Sequence, residues 1–194
     1  MISPNHQVDI KTAFSAQIQS SFASLMPYGK PKNIKKGTFI VEENEQCQTF
    51  FFVQSGIFRT FRVTQDVEYT TGFSFKGDFD TSPFSFFYQT SATETIESIT
   101  DAKIIEFERI DLLEASKNDT TLQNGINLLL AGYIEILENR LHQLRSKIAE
   151  ERYLQLINAQ PDDIKKIPLG YIASFLGISK ERLSRIRKKL TYLT

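Results

Sequence analysis

One eighteen-residue run constrains this chain more than any other: Leu169-Gly-Tyr-Ile-Ala-Ser-Phe-Leu-Gly-Ile-Ser-Lys-Glu-Arg-Leu-Ser-Arg-Ile. Its spacing predicts two short helices joined by a tight turn. Ala173 falls where the helices cross, and a larger side chain there would push them apart. Gly177 follows four residues later, where the turn calls for a positive φ that glycine supplies without steric cost. Ile172, Leu176, Ile178, Leu183 and Ile186 occupy the inward apolar positions. Ser179 is placed to cap the second helix, and Glu181 suits its first turn. Lys180, Glu181, Ser184, Arg185 and Lys188 then share the outward face. This is the pattern of a helix-turn-helix; the plainer alternative is an ordinary helical hairpin.

Charge sharpens that reading. Lys and Arg equal Asp and Glu at 23 each, yet they are unevenly placed. Residues 1–115 hold 10 basic against 15 acidic side chains, and residues 116–194 hold 13 against 8. Within 165–190 there are eight basic side chains and one acidic, Glu181. Such a local excess suits a polyanion, although a solvated helical tail would also carry it. If the second helix enters a DNA major groove, Arg185 can fork onto guanine O6 and N7, and Glu181 can accept from cytosine N4. Lys180 reads a base or holds a phosphate. Ser179, Arg182, Ser184 and Lys188 suit phosphates, which position without specifying.

Upstream, Leu130, Ile134, Leu137, Leu141, Leu144 and Ile148 recur at alternating intervals of four and three, a heptad seam. Ile126, Leu129, Tyr133 and Ile136 run beside it. No proline interrupts 120–150, so the helix can reach about 45 Å. Two adjacent apolar stripes favour a dimer through residues 120–149 over a helix packed wholly on its own domain. The segment 150–158 (EERYLQLIN) reads as a further helix stopped by Pro161.

The first half differs. Ile10, Phe14, Ile18, Phe22 and Leu25 lay one stripe along a helix over 9–26, ended by Pro27 and Pro31. From 37 to 107, short β-prone runs alternate with turn residues: strands are expected over 37–43, 49–54, 57–63, 68–75, 93–99 and 102–107, with turns at 54–56, 65–66 and 100–101. Most of the 16 Phe lie here, before residue 90. In the run 57–63, Phe58 and Phe61 fall on opposite faces, as do the two arginines, so both faces are expected to be covered. Closely spaced strands of this kind make a sandwich or barrel such as a jelly roll.

Several classes drop out. No run of eighteen apolar residues crosses a membrane, and the first residues lack the order of a signal peptide. A single cysteine, Cys47, excludes an internal disulfide and a multi-cysteine metal site; a cytoplasmic setting is expected. Its neighbours give no sign of a lowered thiol pKa. The only histidines, His6 and His142, lie outside the expected strands, which argues against a metal enzyme of the cupin type sharing the jelly-roll shape. No catalytic residue, metal site or cofactor is assigned.

The order of a β-rich half, a long coiled-coil helix and a terminal helix-turn-helix resembles the cyclic-AMP receptor protein and FNR family of bacterial transcription regulators. The segments that carry the resemblance are IASFLGISKERLSRIRKKL (172–190), EERYL (150–154) and FFFVQSGIFRTF (50–61) with Gly56. It implies an α+β chain in three parts. Residues 1–119 hold N-terminal helices and a cyclic-nucleotide-binding-like jelly roll. Residues 120–149 form the dimerisation helix, and 150–194 a winged-helix-like DNA-binding domain in which the tail KKLTYLT stands where many members add a small hairpin. The implied partners are double-stranded DNA, a second copy of the chain and RNA polymerase, and Lys180, Glu181 and Arg185 fall where the family reads bases. Effector-binding members hold the cyclic phosphate with a Gly-Glu segment and a following arginine. Here the matching pieces are Gly77-Asp78-Phe79 and the stretch about Ala92-Thr93, with no arginine and with Glu94 adjacent. A phosphate loses its bidentate partner, so cyclic AMP does not fit. The β-domain is empty or takes a less charged, more apolar ligand against Phe73, Phe75, Phe79, Phe84 and Phe86; the simpler expectation is that these rings are core. The branch that binds iron–sulfur clusters needs several cysteines. The remaining alternative is a ligand-sensing module whose basic tail docks a protein.

Overall fold

The computed structural model describes residue 23 and residues 25–191. The helix expected over 9–26 lies almost entirely outside them. The expected strands form at β2 (Phe39–Val41), β3 (Thr49–Ser55), β4 (Phe58–Thr64), β5 (Val67–Ser74), β7 (Thr95–Ser98) and β8 (Ala102–Glu108). Two strands escaped the sequence reading: β1 (Lys30–Ile34) and β6 (Phe79–Asp80). So did the short helix α1 (Pro83–Tyr88). The strands make two antiparallel sheets, ordered β1-β8-β3-β6 and β2-β7-β4-β5.

Buried apolar side chains from both sheets, including Phe51, Val53, Phe58, Ile96 and Ile104, form the sandwich core. The Phe51 and Phe58 rings meet across it at 4.9 Å. Both faces of β4 are covered, as its pattern predicted: Phe58 is buried on one, Arg59 on the other. Gln65 and Asp66 at the β4–β5 turn both take positive φ, which suits a tight hairpin. Gly56 joins β3 to β4 at φ +96°, and a Cβ there would lie 2.4 Å from that of Ala102, so only glycine fits.

Helices follow: α2 (Arg109–Ser116), α3 (Thr120–Ser146), α4 (Ala149–Ala159), α5 (Leu169–Leu176) and α6 (Lys180–Thr191). The chain separates into two compact units. One holds residues 1–30 and 107–142, the other residues 31–106 and 143–194. In the first, Leu25, Leu112 and Leu122 are buried, and Lys30 bridges Glu108 and Asp111. The Asp119 carboxylate accepts the amides of Thr121 and Leu122 and so starts the long helix. In the second, a continuous core joins Ile57, Phe75 and Ile99 of the β-domain to Tyr153, Ile167, Ile172, Leu176, Leu183 and Ile186 of the C-terminal helices.

Candidate nucleic-acid interface

Local sequence sets the geometry of α5 and α6. Gly177 takes the left-handed conformation at φ +68°. The Ile178 amide reaches back to the Ala173 carbonyl and the Gly177 amide to that of Ser174, each at 3.0 Å. That pair of bonds ends α5 in a Schellman turn. Ala173 is buried between the helices, with Ile172, Leu176, Leu183 and Ile186 around it. Ser179 Oγ accepts the Arg182 amide at 3.2 Å and caps α6.

This packing turns the predicted face outward. Ser179, Lys180, Glu181, Arg182, Ser184, Arg185 and Lys188 are all exposed, while Leu183 and Ile186 point inward. Arg182, Arg185, Ile186 and Lys189 line a shallow depression on α6. The Glu181 carboxyl is held below its usual range by its own backbone amide, by the Ser179 hydroxyl and by Lys180 and Arg185; it stays an ionised acceptor. Lys189 is drawn off this face by Glu150, at 2.9 Å.

Arg152 fixes the frame behind the helices. Its guanidinium donates to the Lys147 carbonyl at 2.9 Å and to the Leu176 carbonyl at 2.7 Å. It therefore ties the chain just beyond α3 to the end of α5.

The β-domain residues proposed for an effector each have an internal task. Gly77 takes φ +99°, and its amide donates to the Val53 carbonyl. The Asp78 carboxylate accepts the Phe75 amide at 2.8 Å. Ala92 is buried, and its amide donates to the Glu45 carbonyl. The Thr93 hydroxyl donates to Glu94 at 2.8 Å. The five expected rings do not surround one pocket. Phe79 stacks on Phe50 at 5.1 Å, and Phe86 lies 6.3 Å from the same ring. Phe73 lies against Phe175 of α5 at 5.2 Å, Phe75 is buried in the core shared with those helices, and Phe84 is exposed beside Tyr88. Phe75 and Phe86 are buried, as the simpler expectation has it; Phe73 and Phe79 are half-buried, and Phe84 is exposed.

The sequence reading missed Asp80, Ser82 and Arg62. Glu94 is buried and accepts from Ser82, from Thr93 and from Arg62, the last at 2.9 Å. Arg62 thus neutralises a carboxylate of its own domain. Burial pushes Asp80 up to about 7 against the pull of Ser74 and the Thr81 amide, and Asp78 and Glu94 push the same way. The stretch that would face a phosphate therefore presents carboxyl groups. Cys47 is buried, its Sγ 3.2 Å from the Thr49 carbonyl oxygen. Among the described residues no group of His, Cys, Asp and Glu is placed to hold a metal, and no helix is long and apolar enough to cross a membrane.

Residues 31–119 match the family model of the cyclic nucleotide-binding domain. Over that stretch the chain is similar to that domain. FixK2 from Bradyrhizobium japonicum is similar at a TM-score of 0.73 and 20% identity, over 85% of each chain. A transcriptional regulator assigned to the Crp/Fnr family, from Eubacterium rectale, gives 0.70 and 21%, covering 91% of this chain and 83% of that one. The c-di-GMP-responsive global regulator CLP from Xanthomonas campestris gives 0.63 and 16%, covering 90% and 92%. No curated protein sequence matches the chain. At these identities the likeness establishes the fold alone: an antiparallel sandwich followed by a long helix.

Proposed function

We propose that this chain is a transcription regulator, not an enzyme, that binds duplex DNA sequence-specifically through α6 and works as a homodimer joined along α3. One observation carries the DNA reading: Lys180, Arg182, Arg185 and Lys188 stand exposed on a helix whose opposite side is buried against α5. A helix so mounted can enter a major groove, with base contacts from its N-terminal half. The dimer reading rests on α3, where Ile134, Ile136, Leu137, Leu141 and Leu144 are all exposed. A contiguous apolar stripe of that length calls for a cover, and a second copy of the same heptad seam supplies one.

Cyclic AMP is not the effector of this reading. A cyclic phosphate brought against Ala92 and Thr93 meets the Glu94 carboxylate, and the nearby Arg62 is already engaged with that carboxylate. A small ligand of lower charge suits the domain better, and DNA binding without any ligand is the limiting case.

The test is a mobility-shift titration against salt, using duplexes selected from a random pool. Phosphate contacts release counterions, so affinity should fall by about three orders of magnitude or more between 50 and 200 mM salt for six or more contacts. Salt-insensitive binding, or none at low ionic strength, would leave the basic face to a protein partner.

A further inference from the structure

Arg59 is the most deeply buried charged side chain of the β-domain, at 2% exposure, and α5 lies over it. Each guanidinium nitrogen is bonded within its own sheet: Nε donates to Thr70 Oγ1 at 2.9 Å, Nη1 to Glu97 at 2.9 Å and Nη2 to Glu68 at 2.8 Å. Its two faces are covered as well. Phe61 of the same strand lies 4.3 Å away, and the Tyr171 ring of α5 lies 3.7 Å away on centroid. Two further contacts continue the same seam. The Thr70 amide donates to Ser174 Oγ of α5 at 2.9 Å, and Phe175 packs on Phe73. The side of α5 turned away from α6 is therefore seated on the β4–β5 hairpin.

We infer that the Arg59–Tyr171 stack is an intramolecular latch that holds the α5–α6 pair on its own β-domain and lowers its affinity for duplex DNA. This rests on the DNA reading above. The sign follows from charge and access. In a helix-turn-helix complex the first helix crosses the phosphate backbone. Here that helix lies against a hairpin whose Glu68 carboxylate is half exposed, with a side-chain exposure of 51%. A phosphate strand approaching α5 meets that carboxylate, while the Arg59 charge that offsets it is sealed beneath Tyr171. The α6 face stays open in the latched state, so the latch acts through the position of α5 and not by covering the base-reading residues.

The test compares full-length wild type with Tyr171→Leu, Tyr171→Phe, Glu68→Gln and Arg59→Met. Two readouts are used: amide exchange at Thr70 without DNA, and affinity for a labelled duplex selected from a random pool. Tyr171→Leu should speed Thr70 exchange and tighten duplex binding by about tenfold, within the usual range of coupling between sites. Tyr171→Phe keeps the ring and should match wild type in both. Glu68→Gln should tighten binding by removing the carboxylate. Arg59→Met repeats the Tyr171→Leu test from the other side, and Tyr171→Leu decides alone if Arg59→Met fails to fold. Unchanged Thr70 exchange in Tyr171→Leu overturns the latch. Faster exchange with equal or weaker duplex binding overturns its inhibitory sign. Faster exchange with no duplex bound by any form at low salt overturns the DNA reading, and the inhibitory role with it.

Discussion

Arg185 and Lys188 lie three positions apart on α6, both exposed, yet their chemistry predicts different losses. Arg185→Ala removes a bidentate fork, so discrimination at one base pair should fall by about 1–3 kcal/mol while other positions keep theirs. Lys188→Ala removes a phosphate contact, so binding weakens on every sequence and the salt slope drops by about one. Competition against a randomised site library separates the two; uniform loss for Arg185→Ala refutes its base-reading role. Asp80 makes a prediction in pH. Its folded pKa is about 7 against an ordinary 3.8, chiefly because burial penalises its charge. The native state thus holds this proton more tightly than the unfolded chain. The stability it lends is fully present below 3.8 and is lost as pH rises through about 7. Urea unfolding should show wild type weakening from pH 5 to pH 8 relative to Asp80→Asn, and parallel curves would contradict the assignment. Legibility at this scale divides by range. Gly177, Ala173 and Ser179 were legible because each makes its backbone or capping bond within five residues. Arg59, Arg62 and Asp80 were not, because their partners Glu97, Glu94 and Ser74 arrive from other segments of the fold.

Elements repeat that division. Strands with strong β-branched and aromatic patterns stood out, whereas β1 (Lys30–Ile34) is Lys- and Pro-bearing and mostly exposed, and β6 has two residues. Neither offers a period to read; pairing alone makes them strands. The helix α1 was hidden because its residues, PFSFFY, are aromatic and follow a proline. The seam on α3 was plain in sequence, and its exposure gives a prediction. In a dimer each buried leucine contributes about 2 kcal/mol, and a carboxylate in its place adds a desolvation cost. Leu137→Glu with Leu141→Glu should therefore yield a folded monomer. Sedimentation at micromolar concentration with an unchanged helical circular dichroism signal would bear this out, and a persistent dimer would move the interface elsewhere. At the crossing of α5 and α6, Ala173 is 2% exposed. Ala173→Leu overpacks it at a cost of about 1–3 kcal/mol, read as a lower denaturation midpoint.

At the scale of the whole molecule, a two-fold dimer presents α6 twice, and symmetry then dictates the operator. Two copies of one half-site must face the same side of the duplex, one helical turn or a multiple apart, with roughly 34 Å per turn. Inserting about 5 bp between the half-sites, half a turn, swings one of them to the far side. Affinity should fall to that of a single half-site, and inserting a full turn should restore it only if the dimer can stretch. The double substitution on α3 supplies the control. A monomer reads each half-site alone, so Leu137→Glu with Leu141→Glu should bind the normal and the half-turn operators equally. Wild type that is indifferent to the half-turn insertion would mean that the two copies of α6 do not act together. The apolar stripe of α3 would then need a different partner from a second copy of this chain.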